Sequence, residues 1–235
     1  MILFLVSLFA GLGYAVSHSL RNNSASPEKE KYSVYASRLT QYPISVRTAV
    51  LRINTVGRAT PEEISFDYPA WGDSKYQHAV PSPDTFKVFY PDGGGVPWQK
   101  PDLKYLDSNF SSAYGYGKWL FTGSSCIPNI GSGSDADCNA SDTQLELIAV
   151  LPYIERGLCI QINKKLGVNA ANNYMPPQDV GDAWSATPEF DGTFGPGEVI
   201  LDAGTILKGL DAACFEGGGT PPAGSYHFYS TLMQR

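Results

Sequence analysis

The first twenty positions of the chain carry no charge, and their large apolar residues (Ile2, Leu3, Phe4, Leu5, Leu8, Phe9 and Leu12 among them) fall on every side of a helical wheel. A helix that is apolar all round is one buried on all sides. At about 1.5 Å per residue this stretch reaches roughly 30 Å, the hydrocarbon thickness of a bilayer. Ser7, Ala10, Gly11, Gly13 and Ala15 are small enough to admit a second helix at close range. Two states fit the pattern: a single membrane anchor, or a helix packed against copies of itself. A secretory signal places basic residues ahead of its apolar stretch, and nothing basic precedes Arg21.

A polar break at residues 21–26 ends this pattern, and a different one begins. Ser26 is placed to cap a helix starting at Pro27, with Glu28 in the first turn where the helix dipole favours negative charge. Tyr35, Leu39, Tyr42, Val46, Ala49 and Ile53 then recur at steps of four and three. They form one stripe of an amphipathic helix over 27–56, with Arg38, Gln41, Arg47 and Arg52 mostly off it. Pro43 removes a backbone donor inside this run and is expected to kink it.

Beyond residue 57 the periodicity changes to two. Short runs rich in β-branched and aromatic residues predict strands over 63–67, 86–90, 118–122, 145–151, 198–202 and 225–233, each bounded by Gly, Pro, Asp or Ser. The run EGGGTPPAG at 216–224 separates DAACF from the last of them, as a terminal hairpin does. Between the strands, 152–167 reads as a second helix, with Pro152 near its start, Lys164 and Lys165 in its last turn and Gly167 just past its end. The fold class expected is α+β: a long kinked N-terminal helix packed on a small antiparallel sheet, with a loop-rich head carrying disulfides. The divisions are 1–26 (apolar helix and polar break), 27–56 (amphipathic helix) and 57–235 (head).

Composition narrows the function. With 17% charged residues, 24 Gly, 17 Pro and 14 Tyr, the 235-residue chain has the usage of a loop-rich extracytoplasmic protein. A net charge of −6 supplies no basic stripe for a phosphate backbone, so nucleic acid is not an expected partner. Four cysteines, Cys126, Cys138, Cys159 and Cys214, allow three pairings. Bridging Cys126 to Cys138 closes a Gly/Ser/Asp loop with little other means of order, worth about 3 kcal/mol in the loop-entropy model. Cys159 then joins Cys214, although the other pairings and free thiols stay open. Bridges imply an oxidising compartment. Zinc is not expected, since no CxxC spacing exists and His18, His78 and His227 are scattered.

The layout resembles the type IV pilin and pseudopilin superfamily: an uncharged N-terminal helix running on as an amphipathic helix beneath a small antiparallel sheet, with cysteines late in the chain. Residues 1–54 carry most of the likeness. The family removes a basic leader, and the resemblance implies that Met1 is the first mature residue. It departs at one position: most major pilins have glutamate fifth in the mature chain, and here Leu5 stands there. The resemblance implies a structural subunit of an extracellular or envelope filament, inserted in a membrane before assembly and then joined to copies of itself. Its assembly helix would present Leu3, Phe4, Leu5, Leu8, Phe9, Gly11, Leu12 and Gly13. The alternative is a membrane-anchored extracytoplasmic binding or adhesin domain that does not polymerise.

Other motifs add little. Asp135, Asp137, Asn139, Ser141, Thr143 and Glu146 follow calcium-loop spacing. Ala140 replaces the turn glycine and Asp142 the apolar position, so a solvated acidic loop is expected and Asp135, Asp137 and Asn139 are only a weak calcium candidate. Asn22, Asn109 and Asn139 lie in N-x-S/T sequons, possible glycosylation sites where the host machinery reads them. The GSGSD run lacks the geometry of a nucleophile elbow, and His227 sits in an alternating aromatic run as a strand-face residue. No catalytic pair can be drawn from spacing; no enzyme activity and no cofactor are expected.

Overall fold

The computed structural model describes residues 27–68, 74–130, 145–179, 181, 183, 189–195, 198–199 and 206–235. Helix α1 spans Pro27–Thr55 and buries Leu39, Tyr42, Val46, Ala49 and Ile53, five of the six stripe positions. Tyr35, the sixth, is half-buried. The helix runs through Pro43 as one element, so the proline does not divide it. One missing backbone bond is outweighed by packing on both sides, because Leu39 and Tyr42 before it and Val46 and Val50 after it all seat in the same core. Ser26 and the 1–26 segment lie outside the described residues.

Among the described residues five strands form one sheet: β1 (Leu120–Cys126), β2 (Glu146–Leu151), β3 (Glu198–Val199), β4 (Ala212–Glu216) and β5 (Tyr226–Met233), in the order β3-β1-β2-β5-β4. The four longer strands are antiparallel, and β3 adds two residues in parallel to β1. β4 and β5 make the terminal hairpin, with Cys214 opposite Phe228. Alternation then divides the sheet cleanly. Phe121, Leu147, Ala149, Leu151, Phe228 and Leu232 face the core under α1, whereas Leu120, Ile148, Val150, Ala213 and Tyr229 face a second core closed by Ile127, Val168 and Leu207.

Helix α2 (Arg156–Leu166) lies against both α1 and β4 and ends with Gly167 in the left-handed conformation (φ 76°), the C-terminal stop read from the sequence. The Cys159–Cys214 disulfide ties it to β4, with Cα atoms 5.4 Å apart. Closing a loop of that length, 55 residues, is worth about 4 kcal/mol in the loop-entropy model. Asn163, one turn on, donates Nδ2–H to the Cys214 carbonyl and accepts the Cys214 N–H, both at 2.8 Å. Its amide thus occupies the outer edge of β4 as a neighbouring strand would.

Two predicted strands are corrected. Residues 63–67 and 86–90 meet only through a single parallel bridge, Ser65 to Lys87, flanked by the one-turn helices Pro61–Glu63 and Asp84–Phe86. Their side chains are indeed core: Ile64, Phe66 and Val88 are fully buried. The rings pack edge-on and stacked, with Phe66 parallel to Phe121 at 4.4 Å between centroids. Prolines at 61, 81, 83 and 91 and the glycines at 93–95 break the chain too often for a ladder to extend. Of the strand expected over 198–202, only Glu198–Val199 is described as one.

Candidate functional site

One side of α1 is fixed to the core, and the other is a regular surface along its 29 residues. Its outward residues include Val34, Arg38, Gln41, Ile44, Ser45, Thr48, Leu51 and Thr55, all exposed. Ile44 is 60% exposed, and Val56 just past the helix is 76% exposed. The hydroxyls among them are turned inward: Ser37, Ser45, Thr48 and Thr55 each donate to the carbonyl four residues earlier, at 3.1, 3.3, 2.9 and 2.6 Å. A hydroxyl already bonded to its own helix loses little when water leaves. From Ser33 to Val56 there is no carboxylate at all. The face is therefore neutral to cationic.

Beside this face, α1 and residues 99–105 enclose a cleft of about 390 Å³. Tyr42, Tyr105 and Trp119 form its floor, and Arg38, Gln41, Gln99, Lys100 and Asp102 its walls. The Gln99 N–H donates to the Tyr42 hydroxyl at 3.3 Å, joining residues 57 apart in sequence. Burial holds the Tyr42 phenol far above the ordinary tyrosine range, so it remains a neutral donor. Asp102 is engaged locally: it accepts Lys104 Nζ at 2.5 Å and the Lys104 backbone N–H at 3.1 Å, which hold its carboxyl below the usual range.

Two histidines contact serines, and neither activates one. His227, fully buried on β5, accepts the Tyr153 N–H at Nδ1 (3.4 Å), so Nε2–H donates to Ser225 Oγ at 2.5 Å. The serine proton goes to the Pro222 carbonyl. Desolvation pushes the imidazole well below its ordinary value, which keeps it neutral. His78 repeats the arrangement, with Nδ1 3.1 Å from Ser82 Oγ, whose hydroxyl donates to the Glu63 carbonyl at 2.9 Å. In both pairs the serine accepts from histidine, the reverse of what a general base requires. His227 is thus the strand-face residue its sequence context predicts.

The sequence-predicted sites divide by location. Leu3, Phe4, Leu5, Leu8, Phe9, Gly11, Leu12 and Gly13 lie outside the described residues, as do Asn22, Asp135, Asp137, Cys138 and Asn139. Cys126 is disulfide-bonded. Glu146, the last position of the calcium spacing, opens β2 and is 1% exposed, its carboxylate accepting the Ile127 N–H at 2.9 Å. Among the described residues no group of acidic, histidine and cysteine side chains is arranged to hold a metal. Asn109 is exposed on the one-turn helix Ser108–Phe110. Among the described residues no helix is long and apolar enough to cross a membrane.

Compared with protein-family models, with curated proteins and with solved structures, the chain matches none. Sequence periodicity located the outward face of α1 but not the cleft. The cleft depends on residues 99–105 folding back across Tyr42, a contact with no local signal.

Proposed function

We propose that the protein is a structural subunit of an extracellular or envelope filament, assembled through its N-terminal helix. In this reading residues 1–26 continue α1 as a long rod, its apolar part held in a membrane before assembly and among like helices afterwards. The head built on the sheet stays outside, and a head-to-tail contact that does not close generates a helical fibre. The observation that carries the reading is the outward face of α1: no carboxylate from Ser33 to Val56, aliphatic side chains in the open, and hydroxyls bonded back to their own helix. Within this face Ile44 stands 60% exposed.

The test is Ile44→Glu. A charge buried at a helix contact costs several kcal/mol, so sheared fibres should fall by at least about tenfold while the melting temperature of the subunit is unchanged. Wild-type amounts of fibre from this variant would remove the outward face from the assembly. A chain that stays with the membrane fraction as monomers, with no fibres of uniform width from wild type, would favour the anchored binding domain instead.

A further inference from the structure

We infer that the cleft between α1 and residues 99–105 receives a carboxylate from a second copy of the chain, docking on Arg38, Lys100 and the Tyr42 hydroxyl. The inference rests on the filament reading and adds to it the partner group and the site.

Three observations converge on one kind of occupant. Arg38 and Lys100 both line the cleft, both are exposed, and neither has an ion-pair partner among the described residues. Asp102, the acidic residue beside them, is already neutralised by Lys104. At the floor, Tyr42 is 6% exposed; it accepts the Gln99 N–H, and its own O–H has no acceptor among the described residues. The residue lines the cleft, so an oxygen arriving there can accept this proton. Two unpaired cations and one free donor lining the same cleft offer complementary partners to an anionic oxygen group.

Charge identifies the source. The chain carries −6 overall, yet α1 has no acid from Ser33 to Val56. A neighbour lying along this rod can present acidic groups from its own first turn, where Glu28 and Glu30 are both exposed. Glu30 precedes Arg38 by eight residues, or about 12 Å along a helix axis. A copy displaced by that distance brings its first turn level with the cleft of the next, with the charges opposed.

The experiment uses fibres of the full chain grown from an equal mixture of ¹⁴N- and ¹⁵N-labelled subunits, treated with a zero-length carbodiimide and mapped by mass spectrometry. The expected product joins Lys100 to Glu28 or Glu30, with half of the linked pairs of mixed isotope. A Lys100 link to any other carboxylate in mixed-isotope pairs also supports docking by a second copy. Fibres in which Lys100 is linked only within its own chain, or not at all, overturn the inference and leave the filament reading intact. Absence of fibres from the wild-type chain fails the filament reading itself. As an independent arm, Arg38→Glu should abolish fibres and Glu30→Arg in the same chain should restore them. Fibres from Arg38→Glu alone, with unchanged salt resistance, overturn the docking.

Discussion

The two halves of the head are held together by different physics. In the second half, β4, β5 and α2 are joined by a backbone ladder, a buried disulfide and the Asn163 amide, all directional contacts. Among the described residues, 57–117 have one internal bridge (Ser65 to Lys87), one to the second half (Leu106 to Ile154), a series of single turns and a cluster of rings: Phe66 lies on Phe121 and is flanked by Tyr76, Phe89 and Phe190. Ladders fix register; stacked rings fix volume. The first half therefore depends on the second, because the rings have the sheet as their floor.

That dependence can be broken from either side. Phe66→Ala should have the largest effect, about 3–5 kcal/mol, because a fully buried ring is removed at the centre of the cluster. Hydrogen exchange should quicken across 57–117 while β4 and β5 keep their protection; uniform loss throughout the head would contradict the division. Asn163→Ala should cost less, about 2 kcal/mol, by leaving the Cys214 N–H and carbonyl buried without partners. Here the faster exchange should appear at β4 and not at 57–117.

The smallest effect is a pH dependence. The folded-state pKa of His227 lies below its unfolded value of about 6.5, so the folded protein binds fewer protons. Its contribution to stability is complete above that pH and is lost as the pH falls below it, with a slope of at most about 1.4 kcal/mol per pH unit. His78, also lowered by burial, acts in the same direction. Glu155 acts oppositely at lower pH, since burial and then the carboxylate of Asp107 raise its pKa and make protonation favour the fold. Denaturation between pH 6.5 and 5 should show the decline, and His227→Gln, which keeps a donor and an acceptor, should flatten it. An equal slope in the variant would assign the effect elsewhere.

The same division explains what could be read from sequence. The terminal hairpin and α2 announce themselves by local chemistry: alternating aromatics on either side of a Gly/Pro run, and Gly167 after two lysines. FKVFY at 86–90 has equally strong strand character but no partner strand within reach, and its rings found a different use. Of the candidate site, the stripe of α1 and therefore its reverse side were legible from period alone. The cleft was not, because Tyr42 meets Gln99 across 57 residues and nothing near either signals the other. The role of Asn163 was equally hidden, since an asparagine inside a helix gives no local sign that it terminates a sheet.

That asparagine has a consequence for how the edge of the sheet meets other chains. With the Cys214 edge of the outer strand already answered by a side chain, an incoming strand finds no template there. Copies brought to high density are barred on that flank from merging sheet to sheet into irreversible aggregates, and any ordered union is left to surfaces chosen for it.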